Sequence, residues 1–116
     1  MIEFEWVGIP RPKGRPRMTR AGHVYTPSRT REFEEAIGWA WRATGCPPFE
    51  GDVVVTIEVR EPSRAADLDN YVKAILDAIQ GEGMAFLDDR QVTCLVASVY
   101  RKCKPGGVHV TIESAA

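Results

Sequence analysis

Cysteine is scarce in this chain of 116 residues: Cys46, Cys94 and Cys103, an odd number with no Cys-x-x-Cys spacing. That excludes a disulfide framework and a zinc ribbon, and it fits reduced thiols in a cytoplasm. Histidine is scarcer still, with His23 and His109 far apart and outside any metal-ligand spacing. No apolar run approaches the length of a membrane span, and Met1 opens directly on a strand-like segment, so neither a membrane anchor nor a signal peptide is expected. A nucleotide-cradling loop is missing too, because Lys13-Gly14-Arg15 has the wrong spacing and context for one. There is no internal repeat and no linker of domain size. With 44% apolar and 27% charged residues, the chain reads as one globular domain spanning 1–116, large enough to bury a continuous core.

Net charge is also nearly absent, at −1, but the balance conceals an asymmetry. Residues 11–31 hold seven basic side chains (Arg11, Lys13, Arg15, Arg17, Arg20, Arg29 and Arg31) and no acid. The other segments carry eight basic and sixteen acidic residues. A cationic segment in an otherwise acidic protein draws a polyanion to one place. Arginines interspersed with glycines suit contacts along a nucleic-acid backbone, so Lys13, Arg15, Arg17, Arg20, Arg29 and Arg31 are the candidate DNA contacts. Tyr25, Trp39 and Trp41 could stack on bases, although the spacing of the tryptophans favours helix packing.

Periodicity supplies the framework. Ile2, Phe4 and Trp6 alternate with Glu3 and Glu5, predicting a half-buried strand. The prolines and glycines of residues 8–17 forbid a regular helix or a central strand there. Thr26-Pro27 then reads as a helix start, with Thr26 as N-cap and Pro27 at the first helical position. Phe33, Ile37, Ala40, Trp41 and Thr44 form the apolar stripe of that helix, and Gly45 ends it. Val53, Val55, Ile57 and Val59 alternate as a second strand, followed by a polar loop from Glu61 to Ala66. Leu68, Val72, Ile75, Leu76 and Ile79 share one face of a second helix that stops at Gly81 and Gly83. Val92 to Tyr100 and Val108 to Ile112 complete the chain as two strands around a Lys104-Pro105-Gly106-Gly107 turn. The order β-α-β-α-β-β predicts an α+β domain with two main helices against a small mixed sheet.

Two acidic motifs stand out: Asp67-Leu68-Asp69-Asn70-Tyr71-Val72-Lys73, and Leu87-Asp88-Asp89-Arg90-Gln91. Carboxylates that converge repel one another unless a cation or proton lies between them, and oxygen-rich clusters favour Mg²⁺ or Mn²⁺. Residues two apart are separated by about 200° around a helix, so Asp67 and Asp69 cannot both face one ion from inside it. At a loop-to-helix junction they can, with Asp67 extended, Asp69 near the N-cap and Lys73 one turn on. Helix-start acids alone stabilise a terminus by less than about 1 kcal/mol each, which accounts for one aspartate but not for this grouping. Of Asp88 and Asp89, entering a strand on opposite faces, one is expected to be a ligand and the other a loop or capping residue.

A cationic segment that gathers phosphates and an acidic site for a divalent ion are the two parts of a metal-dependent nuclease. The ion would act as a Lewis acid on the scissile phosphate, and Lys73 would neutralise developing charge. The sequence resembles the RusA-type Holliday-junction resolvases over most of its length. The resemblance is carried by Ile9-Pro10-Arg11-Pro12-Lys13-Gly14-Arg15-Pro16-Arg17, by Tyr25-Thr26-Pro27, by Asp67 to Lys73 with Asp77, and by Leu87 to Val92. It implies a homodimeric endonuclease that cuts four-way DNA junctions by paired symmetric incisions. Asp67, Asp69 and Asp89 would be its catalytic metal ligands, Lys73 its catalytic lysine, and Mg²⁺ its ion, with Mn²⁺ as substitute. The implied choice within the last pair is Asp89. The competing readings are a module that binds branched DNA without cutting it and a metal hydrolase of small phosphorylated molecules. Seven clustered cations exceed what one small phosphate needs.

Overall fold

The computed structural model describes residues 1–14, 17–25, 27–63 and 66–115, apart from the side chains of Arg17 and Tyr25. The expected N-cap Thr26 and the candidate DNA contact Arg15 lie outside that description, as do the side chains of Arg17 and Tyr25. Strand β1 (Ile2–Val7) is followed by a two-residue pair, β2 (Arg17–Met18) and β3 (Val24–Tyr25), which forms a small sheet of its own. Next come α1 (Ser28–Arg42), β4 (Val53–Arg60), α2 (Leu68–Ala78), a 3₁₀ turn at Asp89–Gln91, β5 (Val92–Tyr100) and β6 (Gly107–Ser114). Apart from that minor pair, this is the α+β order predicted from periodicity.

The main sheet runs β1-β6-β4-β5. Its first three strands are antiparallel neighbours, and β4 pairs with β5 in parallel. The parallel pair requires a crossover, which α2 supplies. Val53, Val55, Ile57 and Val59 are buried on one face of β4, as their alternation predicts, beside Val108, Val110 and Ile112 of β6. Phe33, Ile37 and Trp41 of α1 and Tyr71, Val72 and Ile75 of α2 complete the same core. On the opposite face His109 lies 3.4 Å from Glu3, and Arg60 pairs with Glu5 at 2.9 Å.

The boundary of α1 differs slightly from expectation, because Pro27 occupies the N-cap position and Ser28 begins the helix. Ala43 closes α1, and Gly45 reverses the chain with φ +71. Gly38 marks the helix crossing: a Cβ there would stand 3.2 Å from the Ala78 carbonyl on α2. The tryptophans divide. Trp41 is buried in the core, whereas Trp39 is exposed, with the Arg42 guanidinium 4.9 Å from its ring.

Candidate nuclease site

The first acidic motif sits where the chain leaves β4 and enters the crossover helix. Asp67 is extended (φ −75, ψ 150) at the N-cap position of α2, without a side-chain capping bond, and Asp69 lies in the first turn. Both are exposed, and among the described residues neither carboxylate has a hydrogen-bond or ion-pair partner. Two partnerless oxygen donors at one junction are the chemistry a hard divalent cation selects.

What holds this junction is a residue that sequence reasoning placed in an unremarkable polar loop. Glu61, 1% exposed, accepts a hydrogen bond from the Tyr71 hydroxyl and another from Arg101 Nη1. Arg101 also donates to the Ala66 carbonyl at 3.0 Å, immediately before Asp67. Backbone bonds from Glu61 N to Tyr100 O (2.9 Å) and from Cys103 N to Glu61 O (2.8 Å) fix the same point to the end of β5. Burial and the bond to Glu61 push the Tyr71 phenol well above its usual value. Nothing local in the sequence marks Glu61, since its cationic partner lies 40 residues away.

Further along α2, Asp77 is a hub. Its Oδ1 takes Lys73 Nζ and Gln80 Nε2, each at 3.3 Å, and its Oδ2 lies 3.1 Å from Lys13 Nζ. Lys13 also pairs with Glu34 of α1 at 2.7 Å. Burial pulls the Lys13 ammonium down, but its bonds to Glu34 and Asp77 outweigh that and hold it above its ordinary value. Lys73, placed between Asp69 and Asp77 on one helix face, leans toward Asp77 and keeps 58% of its side chain exposed. Lys13, expected among the DNA contacts, is paired with two acids in this structure, and the candidate catalytic lysine remains at the surface.

The second motif divides its labour. Asp88 caps the 3₁₀ turn, accepting from Arg90 N at 2.8 Å and from Arg90 Nη2 at 3.2 Å. The Arg90 backbone bond, with the guanidinium adding to it, holds the Asp88 carboxyl below the usual range. Gln91 completes the capping box, accepting from Leu87 N and Asp88 N and donating to Phe49 O and Gly51 O. Asp89 has its backbone N–H on Gln80 Oε1 at 3.0 Å, near the end of α2.

Asp67 and Asp69 therefore stand at the first turn of α2 and Asp89 beyond its last, separated by about 15 Å of helix. Among the described residues no three His, Cys, Asp or Glu side chains gather around one point. A single chain offers a two-carboxylate half-site, with the third candidate ligand at the other end of the crossover.

The cationic segment meets this half-site directly. Lys13 N donates to Asn70 O at 2.9 Å, in the first turn of α2. Thr30 Oγ1 donates to Pro12 O at 3.1 Å, and Gly14 N approaches the same hydroxyl at 3.4 Å. Gly14 permits that approach, because a Cβ there would stand 3.0 Å from the Pro27 ring. The segment is stapled between α1 and α2, and Arg20, Arg29 and Arg31 are exposed.

A cationic segment bonded to the helix turn that bears two exposed carboxylates has the elements that phosphodiester cleavage uses. The chain belongs to the endodeoxyribonuclease RusA family, whose model matches residues 8–113. Among curated proteins, none matches the sequence significantly. The chain is accordingly an endodeoxyribonuclease by family, and the matched region includes the cationic segment, the crossover helix and both acidic motifs. No helix is long and apolar enough to cross a membrane among the described residues.

Proposed function

We propose that this endodeoxyribonuclease is a Mg²⁺-dependent homodimer that resolves four-way DNA junctions in the cytoplasm by paired incisions. The observation that carries the reading is the bond from Lys13 N to Asn70 O, which places the cationic segment against the turn bearing Asp67 and Asp69. A divalent ion at those carboxylates supplies Lewis acidity at the scissile phosphate. Arg20, Arg29 and Arg31 hold the flanking phosphates, and Lys73 offsets charge on the phosphate being cut. Arg15 and Arg17 join them as contacts on sequence grounds alone.

Support for a homodimer comes from β5. It is one of the two outer strands of the sheet, and Thr93 to Val96 are all exposed, with Leu95 at 42%, Val96 at 55% and Tyr100 at 52%. A long apolar edge is a template for another strand. Antiparallel pairing of two β5 edges about a two-fold axis carries the beginning of one strand to the end of the other. Asp89 precedes β5, while the end of β5 is bonded to Glu61 and, through Arg101, to Ala66. In such a dimer Asp89 of one copy approaches Asp67 and Asp69 of the other, giving two three-carboxylate sites for two opposed strands.

The 15 Å separation within one chain also favours a second reading, a module that binds branched DNA without cutting it. Labelled four-way junctions beside flap and linear duplex, with and without Mg²⁺, separate the two. Asp69→Asn is expected to abolish junction cleavage and retain binding; wild-type-like cleavage by that variant sinks the assignment. Val96→Lys on the β5 edge is expected to yield monomers by sedimentation, with loss of cleavage. An active monomer would refute the shared site.

A further inference from the structure

A groove of about 370 Å³ lies beside the cationic segment, away from the carboxylates, and the reading above gives it no role. Its wall is Trp6, Ile9 and Phe33, and Arg11, Arg29 and Glu32 stand at its rim. Trp6 and Phe33 meet edge to face, with ring centroids 5.2 Å apart and planes at 67°. The indole lies against the Gly8 backbone, where a Cβ would come within 2.4 Å of its ring. Phe33 is fully packed, but Trp6 is only half-buried and Ile9 is 56% exposed. The backbone of Gly8 and the ring of Phe33 thus fix an indole whose remaining surface is open.

We infer that this groove receives one unstacked nucleobase of the bound DNA, with Arg11 and Arg29 on the phosphates that flank it. This rests on the DNA-cutting reading and adds to it a contact that distinguishes a branch point from uniform duplex. An aromatic surface with guanidinium groups at its rim is the chemistry that binds single-stranded bases, tolerant of sequence because every base has a π-face. The rim carries two cations against the single carboxylate of Glu32, which suits a base joined to phosphates better than an apolar peptide. The position also fits. Arg11 is two residues from Lys13, whose N–H is bonded to Asn70 O in the first turn of α2. Taking a base out of the stack costs less where pairing is interrupted, as at a branch point, than within linear duplex.

The test uses the full-length protein in Ca²⁺, with a four-way junction carrying 5-iododeoxyuridine at the branch point and a linear duplex carrying the same base. Irradiation is expected to cross-link the junction to Trp6 and to leave the duplex without that adduct. Trp6→Leu is expected to weaken junction binding by roughly five- to hundred-fold, while duplex binding stays as in wild type and Trp6→Phe restores most of the difference. Should Trp6→Leu fold poorly, Ile9→Ser, at a wall side chain that is exposed, provides the same comparison. Adducts confined to Trp39, or equal losses on junction and duplex, overturn the inference while leaving the nuclease reading intact. A change of oligomeric state in Trp6→Leu would assign the groove to a second copy instead. Wild-type protein that binds neither DNA overturns both readings.

Discussion

Replacing Arg101 by Met tests whether the buried Glu61 network positions the acidic junction. Glu61 is 1% exposed and has two side-chain donors, the Tyr71 hydroxyl and Arg101 Nη1. Removing one partner of a fully buried charge pair costs about 3–5 kcal/mol. Arg101 is itself 30% exposed, so water takes over part of its role, and about 2–3 kcal/mol is expected for that loss. Losing the bond to Ala66 O adds about 1 kcal/mol. The total, about 3–4 kcal/mol, corresponds to a fall of about 1.5–3 M in the urea midpoint at a slope ordinary for a small domain. Adding Glu61→Gln is expected to recover part of that loss, because a neutral amide needs no counter-charge. Junction cleavage in Mg²⁺ should fall further than stability alone accounts for, at temperatures where the variant is folded, since Ala66 leads directly into Asp67. A variant within about 0.5 kcal/mol of wild type, the range of ordinary surface substitutions, would refute the reasoning. So would strict additivity of Arg101→Met and Glu61→Gln.

Two further outcomes follow from the same geometry. The Tyr71 phenol and the Lys13 ammonium are both held above their ordinary values, so the stability they contribute is complete below about pH 10 and is lost as pH rises further. Urea unfolding between pH 8 and 11 should therefore steepen on the alkaline side, with Tyr71→Phe flattening part of the decline; parallel profiles would count against the buried bond. Among the basic residues, Arg31→Ala is expected to reduce the salt dependence of junction binding by about one unit of slope. Lys13→Met should leave that slope unchanged and lower stability, because its ammonium already faces Glu34 and Asp77; a reduced slope would return Lys13 to the phosphate contacts.

Local pattern revealed what local forces decide. The alternation of Val53 to Val59 and the stripe from Phe33 to Trp41 predict the faces that are buried, because side-chain direction follows directly from strand and helix geometry. The same rule separates Trp41 from Trp39, which is two residues and about 200° away around α1. The rotation argument that made Asp67 extended and set Asp69 near the N-cap describes the junction to within two residues, since Asp67 itself takes the N-cap position and Asp69 the first turn. Long-range pairing was not legible. Lys13 stands in a run of cations and reads as a phosphate ligand until the fold brings Glu34 and Asp77 to either side of it. Glu61 has no signature because its meaning depends on Tyr71 and Arg101. The distance from Asp69 to Asp89 was equally hidden, since it depends on β4 and β5 pairing in parallel with α2 running back between them. An antiparallel pair would have brought the two motifs to one end of the sheet.

Strand β6 lies between β1 and β4, although it is the last strand of the chain. Ile2 pairs with Ile112, and Val7 with Gly107, so the first strand has no neighbour until the last is in place. Closing loops of that span before any of their contacts are gained makes for slow folding. The cationic segment is joined at one end to β1, although its own bonds are to α1 and α2. On the ribosome, α1, β4 and α2 can pack while the segment still lacks its anchor strand. The segment beside Asp67 and Asp69 is therefore framed on every side only when β6 joins the sheet.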